Sequence, residues 1–433
     1  MGAGVSGLTA AHDFIESGFD VLLVDDYADP GGNHISREFG PYTFDIGAIF
    51  FWQDSLLPTI FEGITRGWIP VKFDACRITP TGRVLRYPFD VKEELLAQSP
   101  RFIGKACLDV LRARAFGRRR RSALDFSKYY LGDTLLRTSG LGNYLRRFYG
   151  IPLDNISYEF ARRRMGWIAS NGSLHGQLRN RLLALKRHRA VEQSEINCNV
   201  RPRSGFAPMY RTAVDQLRAA GLVVRLDAGI ERIARDGSGF VVIAGDDVYC
   251  APRLVNTMPL VKLAALLNCL TDDLPESSAL ITLCCRFRGN RGFRGNVLYN
   301  FHDEGRWKRL TMHSDHYGMV DGWQYFAVEV TTRQVLECAT ELFADFRRST
   351  ANVGLFDGEL DLVGDFRTDF AYPVFDREAA AKKAEIAQRI KALGVESVGR
   401  QGDFDYTPSA NEAIALVRDA VGTETLRGKR AET

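Results

Sequence analysis

The chain has 433 residues, 45% hydrophobic and 25% charged, with a formal net charge of +4. This is globular composition, long enough for two domains, and the charge balance is too mild to argue for a nucleic-acid partner. No basic n-region precedes the first motif, and no run of about eighteen uncharged apolar residues occurs, which argues against a secretory signal and a spanning helix.

The chain opens "MGAGVSG". Gly2, Gly4 and Gly7 fit G-x-G-x-x-G: a tight turn, close backbone approach to a pyrophosphate, and close packing of a helix on a strand. Val5 and Ser6 then begin a helix whose free N–H groups and positive dipole end face the phosphates. "LTAAHDFIESG" has helical periodicity, with Leu8, Ala11, Phe14 and Ile15 on one face and Gly18 as the stop. "FDVLLVDD" predicts a short buried strand ending at Asp25, near the ~20-residue spacing at which an acid meets a ribose hydroxyl. Asp26 is the alternative acid, with its side chain expected in solvent. Gly31, Gly32 and Asn33 form a second glycine segment.

The aromatic run Phe50, Phe51 and Trp52, with Tyr87 and Phe89, reads either as the wall of a site or as plain core. From about 90 to 188 the chain is helical and arginine-rich. "FIGKACLDVLRARAFGRRRRS" supports two readings over 101–122: a solvated turn, or a basic amphipathic stretch making peripheral membrane contact. "ARRRMGW" (Arg162, Arg163, Arg164) and "RPRSGF" (Arg201, Arg203) carry guanidinium forks suited to diphosphate or carboxylate, with a solvated helix face as the alternative for the triple arginine. Residues 204–256 read as helix, strand and an alternating hairpin. "LVNTMPLVKLAALLNCL" reads as a strand end and an amphipathic helix, residues 279–332 as several strands, and "REAAAKKAEIAQRIKALG" as a helix stopped by Gly394.

The eight cysteines are scattered without metal-site spacing and read as reduced small hydrophobes in a cytoplasmic protein; Cys284 and Cys285 should face opposite sides of a strand. His313 and His316, in "HSDHY", read as a solvated loop pair, with a metal site as the alternative. No Ser-His-Asp or Cys-His arrangement is suggested by spacing. If a cofactor carries the chemistry, that absence is expected.

The combination "GAGVSGL…VDDYADPGGN" resembles the N-terminal signature of the FAD-dependent flavin amine oxidase superfamily, which includes protoporphyrinogen oxidases, phytoene desaturases and UDP-galactopyranose mutases. The resemblance implies that FAD is the cofactor and that Asp25 binds the adenosine ribose. "GPYTFDIGAIFF" resembles the segment passing under the isoalloxazine, with Gly47 and Ala48 giving close backbone access. "TPTGRVLRYPFDV" resembles the segment before the helical domain in the mutase branch. "DFAYPVFDRE…VGRQGDFDYTPSANEAI" resembles the C-terminal flavin segment, with Gly399, Arg400 and Phe404 ahead of a helix beginning near Asn411. In the mutases the residues matching Tyr372, Arg400 and Tyr406 contact the substrate diphosphate; Arg163 or Arg164 would join them. The mutases carry histidines in the segment after the second glycine pair; here "GAIFFW" has none, His34 lies earlier, and Pro408 stands where they carry an acid, which weakens the case for a galactopyranose substrate.

The expected fold is therefore α/β: a Rossmann-like FAD-binding domain (1–65, 203–265 and 395–433) interleaved with a helical and antiparallel-sheet substrate domain (66–202 and 266–394). The expected function is FAD-dependent oxidation or reduction of an anionic, sugar-linked small molecule, such as a nucleotide-sugar or a lipid-diphosphate, in the cytoplasm or at the inner face of the membrane. The alternatives are redox-neutral sugar isomerisation and a non-enzymatic flavoprotein. In such a fold a short apolar strand precedes Gly2, and Met1 would be its last residue. The first strand is thus missing here, and the true start is expected upstream.

Overall fold

The computed structural model describes residues 1–87, 98–116, 121–166, 168, 197–237 and 239–431, of which 423–431 are described by backbone only. The helical stretches "VKEELLAQ" and "NRLLALKRHRAV" read from the sequence, together with Phe89 and Arg118 to Arg120, lie wholly or mostly outside those residues.

Helix α1 (Val5–Glu16) follows the glycine loop, and Gly18 at φ +86° ends it. Leu8, Ala11 and Ile15 pack into one core with Phe206, Tyr210 and Val214 of helix α6 (Phe206–Ala219). Phe14 instead faces Val417 and Val421, because α1 is sandwiched between α6 and the last helix, α12 (Ala410–Ala431). Strand β1 (Leu22–Val24) is largely buried and pairs in parallel with β9 (Val223–Arg225). A second parallel pair joins β13 (Val255–Asn256) to β19 (Glu396–Ser397). Met1 and Gly2 lie between these pairs. The Gly2 N–H donates to Val24 O at 2.8 Å, Met1 N to Val255 O at 2.6 Å, and the Thr257 N–H to Met1 O at 2.9 Å. The nucleotide half is thus two short parallel pairs bridged by the first two residues.

The other half is built on a seven-stranded sheet: β18 (Phe356–Pro373), β14 (Ser277–Arg291), β17 (Gln324–Thr332), β16 (Arg309–Met312), β15 (Val297–Asn300), β6 (Ala75–Ile78) and β7 (Val84–Arg86), in that spatial order. Cys284 and Cys285 on β14 enter different cores on its two faces, and all eight cysteines are free. Helices α3 (Ala123–Thr138), α4 (Leu141–Tyr149) and α5 (Tyr158–Arg164) share a core with Val297, Tyr299 and Phe301. This core positions the candidate substrate pocket. Phe51 stacks on Trp68 at 4.4 Å inside the nucleotide half, so it is core, whereas Trp52 is exposed. Among the described residues, no helix is long and apolar enough to cross a membrane.

Candidate cofactor cradle and cationic aromatic pocket

The two glycine segments meet backbone to backbone. The Gly31 N–H donates to Ala3 O at 2.8 Å, and Gly4 and Gly31 form a parallel bridge. Gly32 has φ +60°, and a Cβ placed there would lie 3.0 Å from Gly4 Cα. A Cβ on Gly7 would overlap the carbonyl oxygen of Gly2, so α1 sits directly on the loop. Gly4 caps α1 without any side-chain hydrogen bond, and no acid lies in the first turn. Its N-terminal N–H groups are therefore available to an anion, with the helix dipole favouring negative charge. A glycine cradle that no larger residue could form, closing on an uncapped helix, fits a pyrophosphate. Ser6 lies against Gly399, which brings helix α11 (Gly399–Gly402) to the same end of α1.

Asp25 holds the loop. Its carboxylate accepts from the Ala3 N–H and, at 2.7 Å, from the Tyr27 N–H, while burial raises its pKa. Asp26 is not turned to solvent as expected: it accepts from the Ile230 N–H at 2.7 Å and from Lys262 Nζ at 2.5 Å, tying β1 to the following layer. Asn33 Nδ2 donates to Phe370 O at 3.5 Å, linking the second glycine segment to β18.

Gly47 and Ala48 lead to residues the sequence did not single out. Gly47 lies against the carboxylate of Glu329, and the Ala48 N–H donates to Glu329 Oε1 at 3.4 Å. Glu329 is fully buried between Arg309, which donates at 2.5 and 3.0 Å, and Lys308, whose Nζ lies 3.1 Å away. Burial alone would raise the Glu329 pKa, but the two cations more than offset it and the net direction is downward. The signal was a lone acid in "QYFAVEVTT": a buried carboxylate must be paired, and the antiparallel register places Arg309 opposite Glu329.

From this triad a line of cations and rings runs to the C-terminal segment. Lys308 Nζ lies 3.9 Å from the Tyr372 ring centroid and 4.4 Å from that of Phe148. The Arg400 guanidinium sits 5.1 Å from Tyr372. Arg164 sits 6.0 Å from Phe148 and 5.3 Å from Tyr406. Arg400 donates to Ala371 O at 2.9 Å, but its Nε is buried with no hydrogen-bond partner among the described residues. Burial alone would lower the Arg164 pKa; the surrounding tyrosines more than offset it, and the net direction is upward. Four cations against Glu329, with Glu412 near Arg164, leave this cluster with a surplus of positive charge held beside aromatic faces, an arrangement that favours an anionic, ring-bearing ligand.

Other expected site residues are used elsewhere. Arg163 points outward, half exposed, and pairs with Asp405 at 2.8 Å, because successive helical residues cannot share a face. Phe404, at φ +44°, buries its ring in the core with Met258, Ile386 and Ile390. Asn411 accepts from the Leu56 N–H and donates to Asp54 O, both at 2.8 Å, pinning that turn. Arg201 is buried, its guanidinium bound to Asp45 at 2.6 Å and to backbone carbonyls, and Arg203 donates to Tyr317 O; neither faces the pocket. His313 and His316 are not a solvated loop pair. Both are buried at helix α8 (Ser314–Tyr317), with pKa values lowered to about 3 by burial. Among the described residues, no group of three or more His, Cys, Asp or Glu could hold a metal.

A sequence profile for an NAD(P)-binding Rossmann-like domain matches residues 1–61, the segment containing both glycine turns. A search of curated proteins finds no match. At the level of the whole fold, the chain is similar to reduced UDP-galactopyranose mutase, at TM-score 0.73 and 16% identity, over 97% of this chain and 92% of that one. It is also similar to cyclohexylamine oxidase from Brevibacterium oxydans IH-35A, at TM-score 0.62 and 14% identity over 99% and 98% of the chains. Wild-type putrescine oxidase bound to putrescine aligns at TM-score 0.61 and 14% identity over 98% and 97%. The chain thus has a Rossmann-like nucleotide-binding segment within the mutase and amine oxidase fold.

Proposed function

We propose that this chain is a FAD-dependent enzyme acting on an anionic, sugar-linked small molecule. The observation that carries the reading is the cradle and pocket together: glycine turns closed on an uncapped helix, and a cation-rich aromatic pocket built against the same segments. Gly2, Gly4, Gly7 and the first turn of α1 would receive the pyrophosphate, and Asp25 the adenosine ribose. Gly31, Gly32, Asn33, Gly47, Ala48 and Gly399 would offer backbone to the rest of the cofactor. When bound, FAD supplies hydride or electron exchange. Arg164, Arg400, Lys308, Tyr372 and Tyr406 would hold and orient the substrate anion, and Arg309 would keep Glu329 from cancelling that charge. A diphosphate suits guanidinium forks, and the sugar-linked part rests on the likeness to UDP-galactopyranose mutase. The same likeness favours a second reading, redox-neutral isomerisation.

The test is anaerobic turnover of UDP-galactopyranose by the FAD-loaded chain. Bleaching of the flavin by substrate supports net redox chemistry. Turnover only after dithionite reduction, without net redox change, supports isomerisation. Arg164→Ala and Arg400→Ala should each raise KM at least about tenfold, the cost of a charged hydrogen bond. Unchanged KM in both variants would remove the anion pocket from the account.

A further inference from the structure

Among the described residues, helix α2 (Pro100–Phe116) is held by one face only. Phe102, Ile103, Ala106, Val110 and Ala113 turn inward, and α2 packs on α3. The outward arc carries Leu108, Leu111 and Phe116, which are 44%, 63% and 80% exposed. At helical spacing, Gly104, Leu108, Leu111 and Ala115 make one solvent-facing stripe, and Arg101, Lys105 and Arg112 line its flank, all exposed. The helix's one acid, Asp109, is taken up by Thr134, whose hydroxyl donates at 2.5 Å and N–H at 3.0 Å. The arc is therefore apolar and cationic, with no carboxylate on it.

Single exposed apolar residues need no explanation. Three large ones on one helix, with Arg101, Lys105 and Arg112 against the helix's single acid, Asp109, match a helix lying in the plane of a membrane interface. We propose that α2 docks this protein on an anionic lipid bilayer. The charge chooses the occupant: the basic flank is attracted to anionic headgroups, whereas two copies of this face would set like charges against each other. Leucine and phenylalanine side chains would enter the headgroup boundary, and the cations would stay at its surface.

The test is cosedimentation of the full chain with phosphatidylcholine vesicles, with and without phosphatidylglycerol. Binding is expected only with phosphatidylglycerol, and should weaken as salt rises. Arg101→Gln, Lys105→Gln and Arg112→Gln should each weaken it about fivefold, while Lys105→Arg binds as wild type. Leu111→Gln should weaken it at least about tenfold through lost apolar insertion. These side chains are exposed, so thermal midpoints should not move, and that measurement separates lost docking from lost folding. Wild-type chain that ignores phosphatidylglycerol, or variants that bind equally well, would overturn the proposal. So would self-association in sedimentation velocity that Leu111→Gln abolishes, which would make the face a protein interface.

Discussion

Glu329 is the residue on which the two halves of the site depend. It is buried, it touches Gly47 and Ala48, and it balances Arg309 and Lys308. Glu329→Gln would leave the buried Lys308 and the largely buried Arg309 without their counter-ion. We expect it to destabilise the fold by about 3–5 kcal/mol, seen as a lower urea midpoint; an unchanged midpoint would mean that solvent already screens the triad. The histidines give a second residue-scale expectation. Burial lowers His313 and His316 to about 3, so below the ordinary value of 6.5 the unfolded chain takes up protons that the folded chain refuses. Stability should be full above pH 6.5 and fall toward pH 3, by up to about 1.4 kcal/mol per pH unit for each histidine. His316→Phe, next to Phe50, should flatten the urea-midpoint slope across that window. A slope identical to wild type would show that His316 is solvated. Beyond the lone acid in "QYFAVEVTT", none of this was legible in sequence. "HSDHY" looks like a polar loop, and Glu329 meets Arg309 only because β16 and β17 pair in one register.

At the scale of elements, the local signals held where one segment sufficed. The helix after the glycine loop, the buried strand ending at Asp25, and the helix 379–392 stopped by Gly394 at φ +82° follow from period and capping. Strand β18 was not read, because "FDGELDLVGDFRTDFAYP" lacks a continuous apolar face; it is a mostly half-exposed edge whose pairing with β14 is set by tertiary contact. The arginines were read as a class, but the helix face that sends Arg164 inward and Arg163 to Asp405 could only be told once α5 was placed. The glycine turns make the sharpest element-level expectation. Gly32→Val adds a side chain at positive φ, hard against Gly4. The cost is about 1–3 kcal/mol of backbone strain, and it should part the two turns, lowering the thermal midpoint and loosening the cofactor cradle together. A variant that melts and binds FAD like wild type would show the turns are not in contact.

For the molecule as a whole, both halves of the fold serve one junction. The Rossmann-like half presents glycine backbone and a helix terminus; the sheet half brings Glu329, Lys308 and Arg309 against Gly47 and Ala48, and the α3–α5 core carries Phe148 and Arg164 to Tyr406. The cofactor half was legible because its chemistry is local to short motifs. The pocket was only partly legible, since its charges come from strands and helices distant in sequence. The central claim is that the glycine cradle holds FAD. It is tested by incubating the purified chain with FAD, removing free cofactor, and recording the visible flavin spectrum beside that of Gly32→Val. The account predicts a coloured wild-type chain with stoichiometric flavin and a colourless variant. A colourless wild-type chain, or a variant that retains flavin equally, would contradict it.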